Sequence, residues 1–323
     1  MKTELRQVML SVALTSAIVL GGWNFFGLTD GQTVLAHQGN AMQNTVQSAQ
    51  PKVKEAKIGH NEKPSAQDEG QESDLMIDGA AEWIANHQFA YDDSKTIDEN
   101  VADAGKLAKE FLDKFGETDK INTPQRQRIR KNIADELYGK GAKIKKREVF
   151  LIVGHPASGK STFADALIVE RGALLIDSDE VKKRLPEFSN GLLAMAVHSE
   201  SSNITDAVLA RAIDNGDNIV MPLVGKTYDH LEERVDKFKE AGYTVKLIYI
   251  DLPVAKAIKR AETRFRETGR LIYPEYLRSV GLKPKQNYDK LKKTKRVDSY
   301  EAWSNDVPRG NRPILIESSS QHQ

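Results

Sequence analysis

The chain has 323 residues, 47 Lys and Arg against 46 Asp and Glu, and no cysteine. A net charge of +1 argues against a dedicated nucleic-acid binder. The missing cysteines exclude disulfides, thiolate metal sites and cysteine nucleophiles.

Lys2 and Arg6 flank Glu4 at the start, and no charge follows for 23 residues, from Gln7 to Thr29. A short basic start and a dense apolar run from Val8 to Leu20 read as a secretory signal peptide, with Val34, Leu35 and Ala36 at a cleavage point. An uncleaved anchor is the alternative, because the stretch is long enough for a bilayer core of roughly 30 Å. A buried helix of a soluble domain is the third reading. We take residues 1–36 as membrane-targeting, either exported or membrane-anchored, with cleavage left open. Residues 37–74 contain no aromatic residue and are built from Gln, Asn, Ser, Lys, Glu and Pro, a composition expected of a disordered linker.

Apolar spacing returns at Leu75 and opens a helical segment, residues 75–145. Thr96 and Glu99 make a capping-box pattern, after which Val101, Ala104, Ala108, Phe111 and Phe115 recur at helical spacing until Gly116. Thr123 and Pro124 start a second helix with the stripe Ile129, Ile133 and Leu137. The basic run Lys140 to Arg147 reads as a solvated connector, since no aromatic residues are interleaved with it. No nucleic-acid partner is expected.

Residues 146–318 alternate. Short apolar runs at Val149–Val153, Ala173–Ile176, Ile219–Leu223, Val245–Ile250 and Ile314–Ile316 are strands. Helical patterns at Lys160–Arg171, Asn203–Asn215, His230–Ala241 and Val254–Glu267 separate most of them. Near-continuous apolar strands alternating with helices predict an α/β fold, a buried parallel sheet with helices on both faces.

Gly154, His155, Pro156, Ala157, Ser158, Gly159, Lys160 and Ser161 fit G-x-x-x-x-G-K-[ST] between a predicted strand and a predicted helix. Such a loop turns backbone N–H groups onto phosphate oxygens at a helix N-terminus. Lys160 is expected on the β- and γ-phosphates of ATP, with the Ser161 hydroxyl on Mg²⁺ and Thr162 completing the loop. No N-K-x-D guanine motif is present, and the Val245–Ile250 strand leads into Asp251, Leu252 and Pro253, not an Asp-Glu pair. Asp177 and Asp179 end the second strand, where the ligand crevice of an open α/β sheet lies. A carboxylate there orients and deprotonates an attacking hydroxyl, although either Asp also suits a helix N-cap. Arg264, Arg266 and Arg270 cluster around a helix exit at Gly269, as phosphate-neutralising groups or as an ordinary basic helix end.

From about Thr123 to Glu317 the motifs GHPASGKST, IDSDEVKKRLPEF and ETRFRETGR resemble the zeta toxin family of phosphate-loop kinases. The resemblance implies a phosphate-loop kinase fold and phosphoryl transfer from ATP to a hydroxyl-bearing small molecule. In characterised relatives that acceptor is UDP-N-acetylglucosamine, and many are held inactive by an antitoxin protein. It further implies that Asp179 activates the acceptor hydroxyl, that Arg264 and Arg270 contact phosphate, that Asp206 touches substrate and that Asn305 lies near adenine. The third strand, with Val220, Met221, Pro222 and Leu223, lacks the acidic residue that relatives use for the sugar nucleotide. His198 and Glu200 are the expected replacements.

Overall fold

The computed structural model describes residues 76–141, 144–308 and 310–319. The expected targeting segment and the whole of the expected linker lie outside them. Among the described residues, no helix is long and apolar enough to cross a membrane.

Three helices come first: α1 (Ala80–Asn86), α2 (Ile97–Phe115) and α3 (Pro124–Lys140). The capping box that starts α2 is formed. The Glu99 carboxylate accepts from the Thr96 backbone N–H at 2.8 Å, and the Thr96 hydroxyl accepts from the Glu99 N–H at 3.3 Å. Thr123 caps α3 by accepting from the Arg126 N–H at 3.2 Å, with Pro124 in the first turn, where its missing N–H costs nothing.

The body runs β1 (Glu148–Gly154), α4 (Lys160–Arg171), β2 (Leu174–Leu175), α5 (Ser178–Lys182), α6 (His198–Asn215), β3 (Ile219–Leu223), α7 (Tyr228–Glu240), β4 (Thr244–Asp251), α8 (Val254–Thr268), α9 (Pro274–Val280), α10 (Lys283–Leu291), β5 (Ser299–Ser304) and β6 (Ile314–Ser318). The sheet order is β2-β3-β1-β4-β5-β6. All neighbours are parallel except β5 and β6.

Alternate residues of the central strands enter opposite faces, as the period of two requires. Val149, Leu151 and Val153 of β1 join Ile219 and Met221 of β3 and Val245, Leu247 and Tyr249 of β4, covered by α6, α7 and α10. Phe150 and Ile152 join Val220, Ile248 and Ile250 on the other face, under Ala164 and Leu167 of α4. Burial on both faces explains why these strands read as unbroken apolar runs.

Two expectations need correction. The final strand was placed in the buried parallel sheet, whereas β6 is an antiparallel edge with Ile314 60%, Leu315 37% and Ile316 53% exposed. The described residues between β5 and β6 form no crossover helix, and a parallel return would need one. The helix placed at Asn203 begins five residues earlier at His198, because its first turn is polar yet buried at Glu200 and Ser201.

Candidate active site

β1 ends at Gly154, and α4 begins at Lys160, so the intervening loop lies at the carboxyl edge of the sheet beside the central strands. Ala157 takes φ 62° and Gly159 φ 95°, the left-handed turns that curl such a loop. Gly159 is required for a second reason: a Cβ there would lie 2.2 Å from Asn305 Nδ2. That amide donates to the Ser158 carbonyl at 2.7 Å, so Asn305 braces the loop from the end of β5. The His155 ring is buried, with its two nitrogens 2.9 Å from the carbonyl oxygens of Pro156 and Leu277, which ties the loop to α9.

Lys160 folds back over this cradle and donates to the Gly154 and His155 carbonyls, both at 2.9 Å. Burial brings its pKa down to about 8, against the opposing pull of Asp177 and Asp179. The loop therefore holds a partly compensated ammonium beside inward-curled backbone, the donor set that fits a triphosphate. Ser161 and Thr162 are exposed in the first turn of α4. The Ser161 hydroxyl, at the N-terminus of α4 directly after Lys160, suits Mg²⁺. Among the described residues no cluster of three or more His, Asp or Glu forms a separate metal site.

The two aspartates at the end of β2 meet different surroundings. Asp177 is the N-cap of α5 and accepts from the Asp179 N–H at 2.9 Å. Burial, then the Asp179 charge, raises its pKa. Asp179 presents its carboxylate to Lys182 at 3.2 Å and to Arg270. Burial alone would raise the Asp179 pKa, but Lys182 and Arg270 outweigh it and hold it at about 2. Arg264 lies close enough to Arg270 and Asp179 to feel both charges, and burial followed by Arg270 lowers its pKa. Among the described residues no carboxylate lies within ion-pair distance of Arg264. Lys160, Lys182, Arg264 and Arg270 thus face Asp177 and Asp179 with cationic charge in excess.

His198 also borders this cluster. Burial and Lys182 lower its pKa, and it feels Asp179. Tyr276 of α9 faces the same carboxylate; burial, then Asp179, raises its phenol.

Two expected substrate residues lie elsewhere. Glu200 is fully buried, with its carboxylate consumed by Arg126 at 2.8 and 2.6 Å and Arg130 at 2.7 Å. It is unavailable to an acceptor because both oxygens are already paired away from water. Asp206 is eight positions along α6 from His198, about 12 Å at a helical rise, with a side chain 60% exposed and paired to Arg234 at 3.3 Å. Its pair with α7 holds it on the outer flank. Arg266 likewise turns outward, to Tyr91 and Asp93. Lys182 and Tyr276 escaped the sequence reading. Lys182 was detectable as a helical i, i+3 neighbour of Asp179, whereas nothing local marks Tyr276.

The loop, its bracing amide and the carboxylate–cation cluster at the sheet's carboxyl edge define a phosphate-loop α/β protein. The Zeta toxin family model matches residues 134–307, more than half of the chain, and the protein belongs to that family. It is 26% identical over 152 residues to the zeta toxin of Streptococcus pyogenes, covering 43% of this chain and 53% of the relative. The Enterococcus hirae toxin gives the same identity and coverage. The chain thus spans about half the length of these curated relatives. A solved structure from the PezAT chromosomal toxin-antitoxin system of Streptococcus pneumoniae aligns with TM-score 0.48 and 14% identity, over 62% of this chain and 84% of that one.

Proposed function

We propose that the protein is an ATP-dependent phosphotransferase that moves the γ-phosphoryl group to a hydroxyl of a small-molecule acceptor, of the sugar-nucleotide type exemplified by UDP-N-acetylglucosamine. The observation that carries this reading is the juxtaposition of Asp179 with Lys160, Arg264 and Arg270 at one edge of the sheet. The loop backbone and Lys160 hold the triphosphate. Mg²⁺, held by Ser161, would supply charge neutralisation between the phosphates.

Asp179 is a weak base while Lys182 and Arg270 grip it, since a carboxylate near 2 barely attracts a proton at neutral pH. Incoming phosphate competes for the same guanidinium. Transfer of Arg270 to the phosphoryl oxygens frees Asp179 to accept the hydroxyl proton, so charge neutralisation and base activation become one event. Arg264, which has no carboxylate partner among the described residues, is placed to take a second phosphoryl oxygen.

Purified full chain with Mg·ATP and a panel of sugar nucleotides tests the reading. ADP must form only when an acceptor is present, and the acceptor must gain the mass of one phosphate. Saturable ATP binding with no acceptor-dependent ADP would favour a regulatory ATP-binding module instead. An antitoxin partner is proposed from the family alone. Membrane targeting or export through residues 1–36 is proposed from the sequence, and protease access to a C-terminal tag in intact cells tests it.

A further inference from the structure

The proposed chemistry makes no use of the most completely buried ionic group of the described residues. Arg126, 1% exposed, lies in the first turn of α3, ahead of the region matched by the family model. Its guanidinium meets Glu187 at 3.0 and 2.9 Å and Glu200 at 2.8 and 2.6 Å. Burial alone would lower its pKa, and the hydrogen bonds to Glu200 and Glu187 raise it instead. Arg130 adds a second cation to Glu200.

Glu187 belongs to the 3-10 turn Pro186–Gly191, whose backbone is under strain. Ser189 at φ 45° and Asn190 at φ 52° are consecutive left-handed residues without being glycine. Such conformations persist only where the surroundings over-determine them. Gly191 then takes φ 105°, and a Cβ there would lie 3.0 Å from both Cα and Cγ of Arg270. The turn therefore sits directly on the backbone of the arginine that grips Asp179. Just beyond it, Leu192, Leu193 and Ala196 pack with Ala104, Ala108 and Phe111 of α2, and the Thr118 N–H donates to the Ala196 carbonyl at 2.9 Å. The N-terminal helices hold both ends of this segment.

We propose that Arg126 is a positioning residue: its two-pronged pair with Glu187 pins the strained 186–191 turn, and the turn seats Arg270 at the phosphoryl site. The structural half of this statement stands alone, and its catalytic consequence rests on the kinase reading above. A planar fork meeting two carboxylates is geometry that lysine does not reproduce.

The test uses the full chain as wild type, Glu187→Gln and Arg126→Met, with three readouts. Hydrogen exchange at amides 187–192 and 270–272 should quicken on the order of tenfold in both variants, while β4 amides 246–250 stay unchanged. Affinity for Mg·ATP alone should hold within about twofold, because the loop is untouched. Turnover with UDP-N-acetylglucosamine should lose roughly 10- to 100-fold in kcat with little change in the KM for ATP. Should Arg126→Met fail to fold, the milder Glu187→Gln, which keeps the volume, carries the test. Faster exchange at 187–192 without any at 270–272 overturns the proposal. So does an even rise that includes β4 in Glu187→Gln, which would mark general destabilisation. If the wild type forms no ADP with the sugar nucleotide, the kinase reading fails for that acceptor, and the exchange data still decide whether Arg126 seats Arg270.

Discussion

Two ionic groups among the described residues, one buried and one half-buried, are built on opposite terms. In the group formed by Arg126, Arg130, Glu187 and Glu200, two cations meet two carboxylates, and the hydrogen bonds between them are short and nearly all two-pronged. In the group at the sheet edge, Lys160, Lys182, Arg264 and Arg270 outnumber Asp177 and Asp179, and Lys160 makes do with backbone carbonyls. Charge taken out of water is costly unless it is matched. The matched group joins elements distant in sequence. The unmatched group keeps ammonium and guanidinium groups short of partners, a state that the arrival of an anion relieves. Imbalance, more than burial, separates the site from the scaffold.

The largest expected break in that contrast is Lys160→Ala. ATP turnover should fall by about 10³-fold or more, while circular dichroism shows the fold retained, because Lys160 supports no core. Full activity in the folded variant would remove the phosphate-loop argument. Asp179→Asn comes next: kcat should drop about 10²- to 10⁴-fold with ATP affinity little changed. Strongly weakened Mg·ATP binding would instead make Asp179 part of the metal shell.

Glu200→Gln probes the matched group. It strands part of the charge of Arg126 and Arg130, and breaking a buried pair costs about 3–5 kcal/mol, read by denaturant unfolding. Unchanged stability with lost acceptor use would return Glu200 to the substrate role that its burial denies it.

A smaller effect concerns pH. With its free pKa at about 8, Lys160 is partly neutral in alkaline solution. Phosphate favours the ammonium, so binding takes up a proton. Affinity for ATP should weaken as pH rises through 8, by up to roughly tenfold per pH unit, and should be flat at lower pH where the lysine is already charged. Calorimetry in two buffers of different protonation enthalpy reads the uptake directly. Smallest is Asp177→Ala, which removes the cap on α5 and should cost about 1 kcal/mol of stability. Its effect on kcat should be far below that of Asp179→Asn.

Much of the fold was legible because its signals are local. β1, β3 and β4 are buried on both faces and show as unbroken apolar runs, and the caps of α2 and α3 are spelled out within four residues. β5 was missed: only Ala302 of its six residues is buried, so no apolar run or clean alternation marks it. The apolar β6 was read as core and proves to be an exposed edge. Composition reports what a strand resembles, not whether another layer covers it.

The same division runs through the site. The chain order of Gly154 to Ser161 sets the loop by itself, since glycine spacing and a following helix are properties of contiguous residues. By residue type and position alone Asp177 and Asp179 were open alternatives, and only the family resemblance favoured Asp179; in the structure Asp177 caps α5 while Asp179 faces Lys182 and Arg270. Glu200 and Asp206 lie six residues apart on one helix, yet one is sealed against Arg126 and the other is paired with Arg234 in solvent. Whether a carboxylate works as a base, a cap, a buried strut or a surface charge depends on which cations approach from elsewhere in the chain. Glu187 and Glu200 lie 61 and 74 residues from Arg126, and Arg270 lies 91 from Asp179. Electrostatic pairing acts through space, so only the folded chain shows which cation each carboxylate meets.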